Sequence, residues 1–148
     1  MKKEVNDVIK VVTGLLKCCY FGTTKFDKGT KKYVLSLEID KKSTDKLRND
    51  DAIISNYEDA QMIPAWYKSG KGNINLKSLY DIPAIYTDEA GNEVRCQLSD
   101  LIEGKRDYLK DAEASIKMKF KNGTAYPVAV RIIEFGEYNP PFDPFTDF

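Results

Sequence analysis

The chain has 148 residues, of which 42% are hydrophobic and 11% aromatic, and it carries 23 basic and 23 acidic side chains but no histidine. This length and composition suit one domain with a sizeable core. No apolar run reaches the roughly 18 residues needed to cross a bilayer, and no signal-peptide stretch begins the chain, so we expect a soluble cytoplasmic protein.

The net charge of zero is a cancellation between segments. Residues 1–48 carry 12 basic and 6 acidic side chains, and residues 1–133 carry a net charge of +4. Residues 134–148 hold four acids, five aromatics and three prolines but no lysine or arginine. This division predicts a basic body (1–136) that binds a polyanion, and a flexible acidic, aromatic tail (137–148) that mimics a polyanion or binds partner proteins.

Cysteine usage indicates thiols rather than disulfides. Two of the three cysteines, Cys18 and Cys19, are adjacent, and neighbouring strand residues point to opposite faces of a sheet. We therefore expect reduced, partly buried thiols. The lack of histidine and of a Cys-x-x-Cys motif argues against a zinc site and a histidine-based nucleophile.

The first half of the chain predicts two strands and a helix. Residues 5–21 are rich in Val, Ile and Leu and predict a long curved strand, with Gly14 where it bends or bulges. After a lysine-rich loop, residues 33–40 alternate apolar and polar side chains, which is typical of a strand with one buried face. Residues 43–57 have helical spacing, with Ser43 or Thr44 as the N-cap.

The second half predicts two hairpins. Residues 61–81 contain scattered Pro and Gly and predict a long loop with short extended pieces. Residues 84–98 predict a hairpin around a glycine-containing turn at 89–92. A clearer hairpin follows, since residues 115–121 alternate without a fault, Asn122-Gly123 is a strong turn signal, and 126–135 returns as the partner strand. Residues 99–111 fit either a short helix or a covering loop.

These elements predict a mainly β fold. The simplest closed architecture is a five- to six-stranded antiparallel barrel with one helix and an extended C-terminal tail, similar to the oligonucleotide/oligosaccharide-binding (OB) fold. A sandwich is the alternative, because the pattern of strands alone does not separate the two.

Rows of lysine and interleaved aromatic residues predict the binding site. Lys117, Lys119 and Lys121 share one strand face at roughly 7 Å intervals, close to the phosphate spacing of a single-stranded nucleic acid. A solvated outer face is the alternative for this row. Trp66, in an irregular lysine-flanked segment, is expected to be accessible for base stacking. The predicted nucleic-acid-binding residues are Phe21, Lys25, Lys28, Lys31, Lys32, Trp66, Tyr67, Lys68, Lys71, Lys117, Lys119 and Lys121.

Two adjacent carboxylate pairs, Asp50-Asp51 and Glu58-Asp59, could hold a divalent metal for phosphodiester cleavage. Each pair lies in a polar stretch, so a solvated surface is the favoured interpretation. The sequence shows no phosphate-binding glycine loop and no serine or cysteine elbow. We therefore predict no catalytic residue, no metal and no cofactor.

Three segments carry a family resemblance. They are VVTGLLKCCYF followed by KKYVLSLEIDKKSTDKL, the hairpin ASIKMKF-NG-YPVAVRIIEF, and the acidic tail that ends in DF. Together they resemble the single-stranded DNA-binding proteins of bacteriophages. The resemblance implies an OB barrel and a tail that recruits replication proteins and competes with DNA for the groove. The tail residues to which this role is assigned are Phe142, Asp143, Phe145, Asp147 and Phe148.

The expected function is non-enzymatic coating of single-stranded DNA during phage DNA replication or recombination in the bacterial host cytoplasm. The expected partners are single-stranded DNA and, through the tail, a polymerase, helicase or primase. No membrane partner is expected, and a homodimer is left open. The alternatives are a phage protein-interaction module, either an inhibitor or a virion component, that acts through its aromatic tail, and, ranked last, a metal-dependent nuclease.

Overall fold

The computed structural model describes residues 8–23, 29–57, 65–69, 73–121 and 124–137. Several predicted features lie outside these ranges. They are Lys25, Lys28 and Lys71, the Glu58-Asp59 pair, the Asn122-Gly123 turn, and the tail residues Phe142, Asp143, Phe145, Asp147 and Phe148.

Seven strands and four α-helices are present in the described residues. The strands are β1 (Val8–Gly22), β2 (Lys32–Glu38), β3 (Ile74–Ser78), β4 (Pro83–Thr87), β5 (Glu93–Gln97), β6 (Glu113–Lys121) and β7 (Thr124–Glu134). The helices are α1 (Lys41–Arg48), α2 (Asp51–Tyr57), α3 (Ala65–Ser69) and α4 (Leu98–Gly104), followed by a 3-10 turn at Arg106–Tyr108. No helix in the described ranges combines the length and the apolar character needed to span a membrane.

The strands form one open mixed sheet in the order β3-β2-β1-β6-β7-β4-β5. The mainly β prediction is confirmed, whereas the predictions of five to six strands, one helix and purely antiparallel pairing are wrong. The β4–β5 hairpin lies at one edge of the sheet, outside β7. There β4 pairs parallel to β7 from Ala84 to Tyr86.

Strand β1 serves both halves of the sheet. Residues Val8–Leu15 pair with β6, and residues Leu15–Gly22 pair with β2, with a register shift inside this second pairing between Leu16 and Cys18. A Cβ atom on Gly14 would lie 2.1 Å from the backbone oxygen of Glu38, at the end of β2. The predicted long first strand is confirmed, but its register shift lies between Leu16 and Cys18 rather than at the predicted Gly14. Gly14 is instead required because β2 passes too close for any side chain.

The core lies on one face of the sheet, which we call the inner face. Strand β6 buries Ile116, Met118 and Phe120 there, as its alternation predicts, and the lysines between them point to the opposite, outer face. The core also includes Leu16, Leu35, Leu37, Leu47, Ile53, Trp66, Leu76, Leu98 and Leu101. Helices α1 to α4 thus contribute side chains to the same core as the strands.

The single helix predicted for 43–57 is wrong, because two aspartates start two separate helices. The Asp40 carboxylate accepts the Ser43 N–H at 2.7 Å and caps α1. The predicted cap Thr44 instead lies inside this helix. The Asp50 carboxylate then accepts the Ala52 N–H at 3.0 Å and starts α2.

The region 61–81, predicted as a loop, contains α3 and β3. Strand β3 is a paired strand, with Leu76 opposite Leu35 of β2. The choice left open for 99–111 is resolved as α4 and the 3-10 turn, and the Asp100 carboxylate accepts the N–H of Gln97 at 2.9 Å at the start of α4. The hairpin predicted for 84–98 is confirmed as β4–β5, with Gly91 at φ +85° in its turn.

The end of β7 is fixed to the segment that follows α4. The ammonium of Lys105 lies 5.7 Å from the ring centroid of Tyr86 and 5.4 Å from that of Phe135, within the range of a cation–π contact. The N–H of Gly136 donates to the carbonyl of Tyr108 at 2.8 Å. Residues 135 and 136 are therefore held on the folded body.

Cys18, Cys19 and Cys96 are free and partly buried, as predicted. Burial is the main cause that raises the pKa of each thiol, and for Cys19 it raises the pKa to about 12. Since the thiolate is the reactive form, these cysteines are poor nucleophiles at neutral pH.

Asp50 should contribute to acid sensitivity. The hydrogen bond from the Lys10 ammonium, 2.8 Å from the Asp50 carboxylate, is the main cause that lowers the pKa of this carboxyl below its ordinary value. A group with a lowered folded-state pKa stabilises the fold above its unfolded pKa, and this contribution is lost as the pH falls through the folded-state value. Asp50→Asn keeps a good helix cap but removes the charge. We expect this variant to lose less thermal stability than the wild type between pH 7 and about pH 3.

Thermal unfolding followed by circular dichroism across this pH range measures the effect. Lys10→Met, which removes the ammonium that lowers the pKa of Asp50, should flatten the acid profile in the same direction as Asp50→Asn. Identical acid profiles for Asp50→Asn and the wild type would contradict the assignment.

Candidate nucleic-acid interface

A groove of about 480 Å³ lies between the end of β3 and the start of β7. We call it the β3–β7 groove. It contains two lysines and two tyrosines, and the tyrosines Tyr80 and Tyr126 are 80% and 45% exposed. Its lining residues are Lys32, Asn75, Lys77, Ser78, Leu79, Tyr80, Thr124, Ala125 and Tyr126.

The strand register places the two lysines on the same face. Lys77 of β3 lies opposite Val34 of β2, and Val34 is two residues from Lys32. Since residues i and i+2 of a strand share a face, both ammonium-bearing side chains belong to the outer face. Tyr80 follows in a turn in which the Ser78 hydroxyl donates to the Tyr80 carbonyl at 2.7 Å and accepts the Tyr80 N–H at 3.1 Å.

The lysine row of β6 continues this basic surface. Lys119 lies opposite Tyr126, and Lys121 lies opposite Thr124, so each is in register with a residue that lines the groove. Lys117 is one step farther along β6, opposite Ala129. The row therefore runs beside the groove on the outer face, from the hairpin end of β6 towards the middle of the strand.

The β6–β7 hairpin has opposite charges at its two ends. At the end far from the groove, a second cavity of about 370 Å³ is lined by Asp111, Glu113, Glu134 and Glu137, with Lys110 as its basic residue. Eight residue steps along β6 separate the two ends, or roughly 26 Å. A bound anion is consequently favoured at the groove and disfavoured at the acidic end.

Phe21 and Lys31, two predicted site residues, lie outside the groove lining. Phe21 is 47% exposed and packs on Tyr33, with ring centroids 4.6 Å apart. Tyr33 follows Lys32 directly in β2, so the Phe21–Tyr33 pair projects from the opposite face of the sheet. Lys31 is exposed and immediately precedes Lys32 at the start of β2.

The prediction that Trp66 is accessible for base stacking is wrong. Trp66 is only 5% exposed and belongs to the core. Residues 65–69 form a helix rather than an open loop. The Arg48 guanidinium of α1 fastens that helix by donating to the carbonyls of Tyr67 at 2.6 Å and Lys68 at 3.0 Å. Tyr67 packs against the core and Lys68 is exposed on α3, so neither lines the groove.

Of the groove-lining residues, only Lys32 is among the predicted binding residues. Those that the prediction missed include Asn75, Lys77, Tyr80 and Tyr126. The position of Tyr126 could have been predicted from the pattern, because the two-residue turn that the Asn-Gly signal predicts would set Lys121 opposite 124 and Lys119 opposite 126. The first three depend on recognising β3, whose five residues follow a glycine-rich segment that carries no strand signal.

The carboxylates of the nuclease alternative are only partly described. Asp50 is engaged by Lys10 and by the backbone of α2. Across the described ranges, no group of three or more acidic or cysteine side chains is arranged to hold a metal ion.

Comparison of the sequence with protein-family models and with the curated proteins gave no match.

Proposed function

We propose that this protein is a non-enzymatic single-stranded DNA-binding protein. The observation that carries the proposal is the β3–β7 groove, which combines Lys32 and Lys77 with the exposed rings of Tyr80 and Tyr126. Non-specific single-strand binding needs both a cationic track for the backbone and aromatic faces for the bases.

The two kinds of residue have separate roles in this proposal. Lysines neutralise phosphates, and each neutralised phosphate makes the affinity depend on salt. Tyrosine rings stack on bases, and each stack stabilises binding by about 1–3 kcal/mol whatever the base. Because a ring face does not read base edges, sequence preference should be weak.

We further propose that the sheet is an elaborated OB barrel. In support, β1 pairs with β2 through one half and with β6 through the other, which lets the sheet curl around a single core. The end of β3 also lies beside the start of β7 across the groove. The β4–β5 hairpin and α4 are then an insertion between the third and fourth strands of the barrel.

The biological setting in this proposal is phage DNA replication or recombination, based on the resemblance of the sequence segments to phage single-stranded DNA-binding proteins. Residues 137–148 bind replication proteins, for which their acids and aromatic rings are suited. The folded body binds the DNA.

Binding of labelled oligo-dT, measured by fluorescence anisotropy at several salt concentrations, tests the proposal. Four lysines in or beside the groove (Lys32, Lys77, Lys119 and Lys121) predict a slope of about −3 for log K against log salt, at 0.7 per phosphate of a single strand. Duplex DNA of the same length should bind more weakly, because its bases are not free to stack. Salt-independent binding, or equal affinity for duplex, would contradict the proposal.

A further inference from the structure

One edge of β1 has no described pairing partner. Residues 8–14 pair with β6 on one side, while β2, on the other side, pairs only from Leu15 onwards. In the described part of the chain, no backbone hydrogen bond outside the strand pairings reaches residues 8–14. Such an edge presents a row of N–H and C=O groups that another strand can pair with.

The side chains of this edge are apolar or neutral on the outer face. Ile9 and Val11 are 52% and 61% exposed. Lys10 is the only charged residue between 8 and 14, and its ammonium is directed to the Asp50 carboxylate at 2.8 Å. Natural proteins commonly protect edge strands with charges, prolines or bulges. Residues 8–14 contain no proline, and their one charge, Lys10, is paired with Asp50 rather than directed along the edge.

We propose that two copies of this chain pair antiparallel through residues 8–14 of β1, about a two-fold axis at Val11. The sequence is self-complementary in this register, as an interface with two-fold symmetry requires. Val11 lies opposite Val11 of the partner subunit, and Ile9 lies opposite Thr13 of the partner subunit. The central Val11–Val11 pair and the two flanking Ile9–Thr13 pairs consist only of β-branched residues. Such residues make favourable cross-strand contacts.

Charge favours edge pairing over stacking of the outer faces. Lys117 and Lys119 lie directly opposite Val11 and Ile9 on the outer face. Stacked faces, about 10 Å apart, would therefore bring two lysine rows together. Edge pairing separates the two β6 strands by three strand spacings, or roughly 14 Å, which exceeds the Debye length of about 8 Å at physiological salt.

A second copy also fits the edge better than a charged peptide. The edge residues 9, 11 and 13 are Ile, Val and Thr, which offer no charge for such a peptide to complement. The pairing does not depend on the proposed DNA binding. If both hold, the dimer presents two lysine rows on one continuous sheet.

Cysteine cross-linking tests the register. Directly opposed residues have Cβ atoms about 4.5–5.5 Å apart, which small adjustments bring into disulfide range. Under mild oxidation, Val11→Cys should form a covalent dimer on a non-reducing gel. The wild type, with its partly buried thiols, should not form this dimer. Ile9→Cys, opposite a threonine, and Tyr80→Cys, exposed at the groove, should remain largely monomeric.

Sedimentation velocity tests the association itself. The wild type should show a monomer–dimer equilibrium that shifts with protein concentration. Val11→Lys should be monomeric with only a small loss of Tm, because this side chain is 61% exposed in a single copy but lies opposite Lys117 of β6. A monomeric wild type at high micromolar concentration, or a Val11→Lys variant that still dimerises, would overturn the proposal. Oligo-dT binding by Val11→Lys, with an oligonucleotide short enough for one copy, is expected to persist and separates this outcome from a failure of DNA binding.

Discussion

Replacing Lys32, Lys77 and Tyr80 together with alanine should lower the affinity for oligo-dT by at least about 100-fold. Loss of the Tyr80 stack alone corresponds to about 1–3 kcal/mol, and removal of two ammonium groups adds the loss of two phosphate contacts. The salt slope should fall in magnitude by about 1.4, at 0.7 for each lost contact. Anisotropy titrations at matched salt concentrations measure both quantities.

The matched control is Lys110→Ala. This exposed lysine lies at the acidic end of the β6–β7 hairpin, roughly 26 Å from the groove end, and its loss should change the affinity by less than twofold. Circular dichroism spectra should show that all variants are folded. If the triple variant binds as tightly as Lys110→Ala, the β3–β7 groove is not where DNA binds.

Gly14→Ala should destabilise the protein by roughly 3 kcal/mol or more, or prevent it from accumulating in folded form. The new Cβ would lie 2.1 Å from the Glu38 carbonyl oxygen and 3.1 Å from a methyl carbon of Ile39. The oxygen belongs to backbone rather than to a flexible side chain, so relief requires β1 and β2 to separate at their crossing. Urea denaturation followed by circular dichroism measures the loss.

Gly29→Ala is the control for the general effect on stability of replacing a glycine with alanine. A Cβ at Gly29 meets no atom within 4 Å, so this change should leave the free energy of unfolding nearly unaltered. Equal stability of Gly14→Ala and Gly29→Ala would show that the end of β2 does not approach β1 closely at Gly14.

The hairpin of β6 and β7 shows what a local pattern predicts well. Lys117, Lys119 and Lys121 alternate with buried residues because a strand between core and solvent repeats with period two, and the period is visible in the sequence. The same rule, with the two-residue turn, is enough to place Tyr126 beside Lys119. The long β1 is similarly visible from its β-branched residues and its central glycine.

Trp66 and the groove show where local pattern is insufficient. Whether a tryptophan in a short segment is buried depends on what packs over it. Here α3 is fastened by Arg48, nineteen residues from Tyr67 along the chain. The groove lies between β3 and β7, which are not neighbours in the sheet because β2, β1 and β6 lie between them in the strand order. Their approach depends on how the strands between them are arranged, and the local pattern of neither strand encodes that arrangement.

The helix break at 49–50 is an intermediate case. The spacing of Leu47, Ile53 and Ile54 fits one continuous helix, but Asp50 hydrogen-bonds to the backbone two and three residues ahead and so starts a new one. Aspartate favours such capping over the helix interior. The pair Asn49-Asp50 therefore indicated a helix boundary in the sequence, whereas the spacing of the apolar residues indicated a single helix.

The attachment of Phe135 and Gly136 to the 3-10 segment determines the origin of the acidic tail. Residues 138–148 start from the acidic end of the hairpin, and eleven extended residues span at most about 36–40 Å. The groove end is roughly 26 Å away along β6. Deleting more than about three of these residues would therefore leave the segment too short to reach the groove. The anchorage at Gly136 therefore sets the shortest extended segment that can bridge this distance, which is about eight residues.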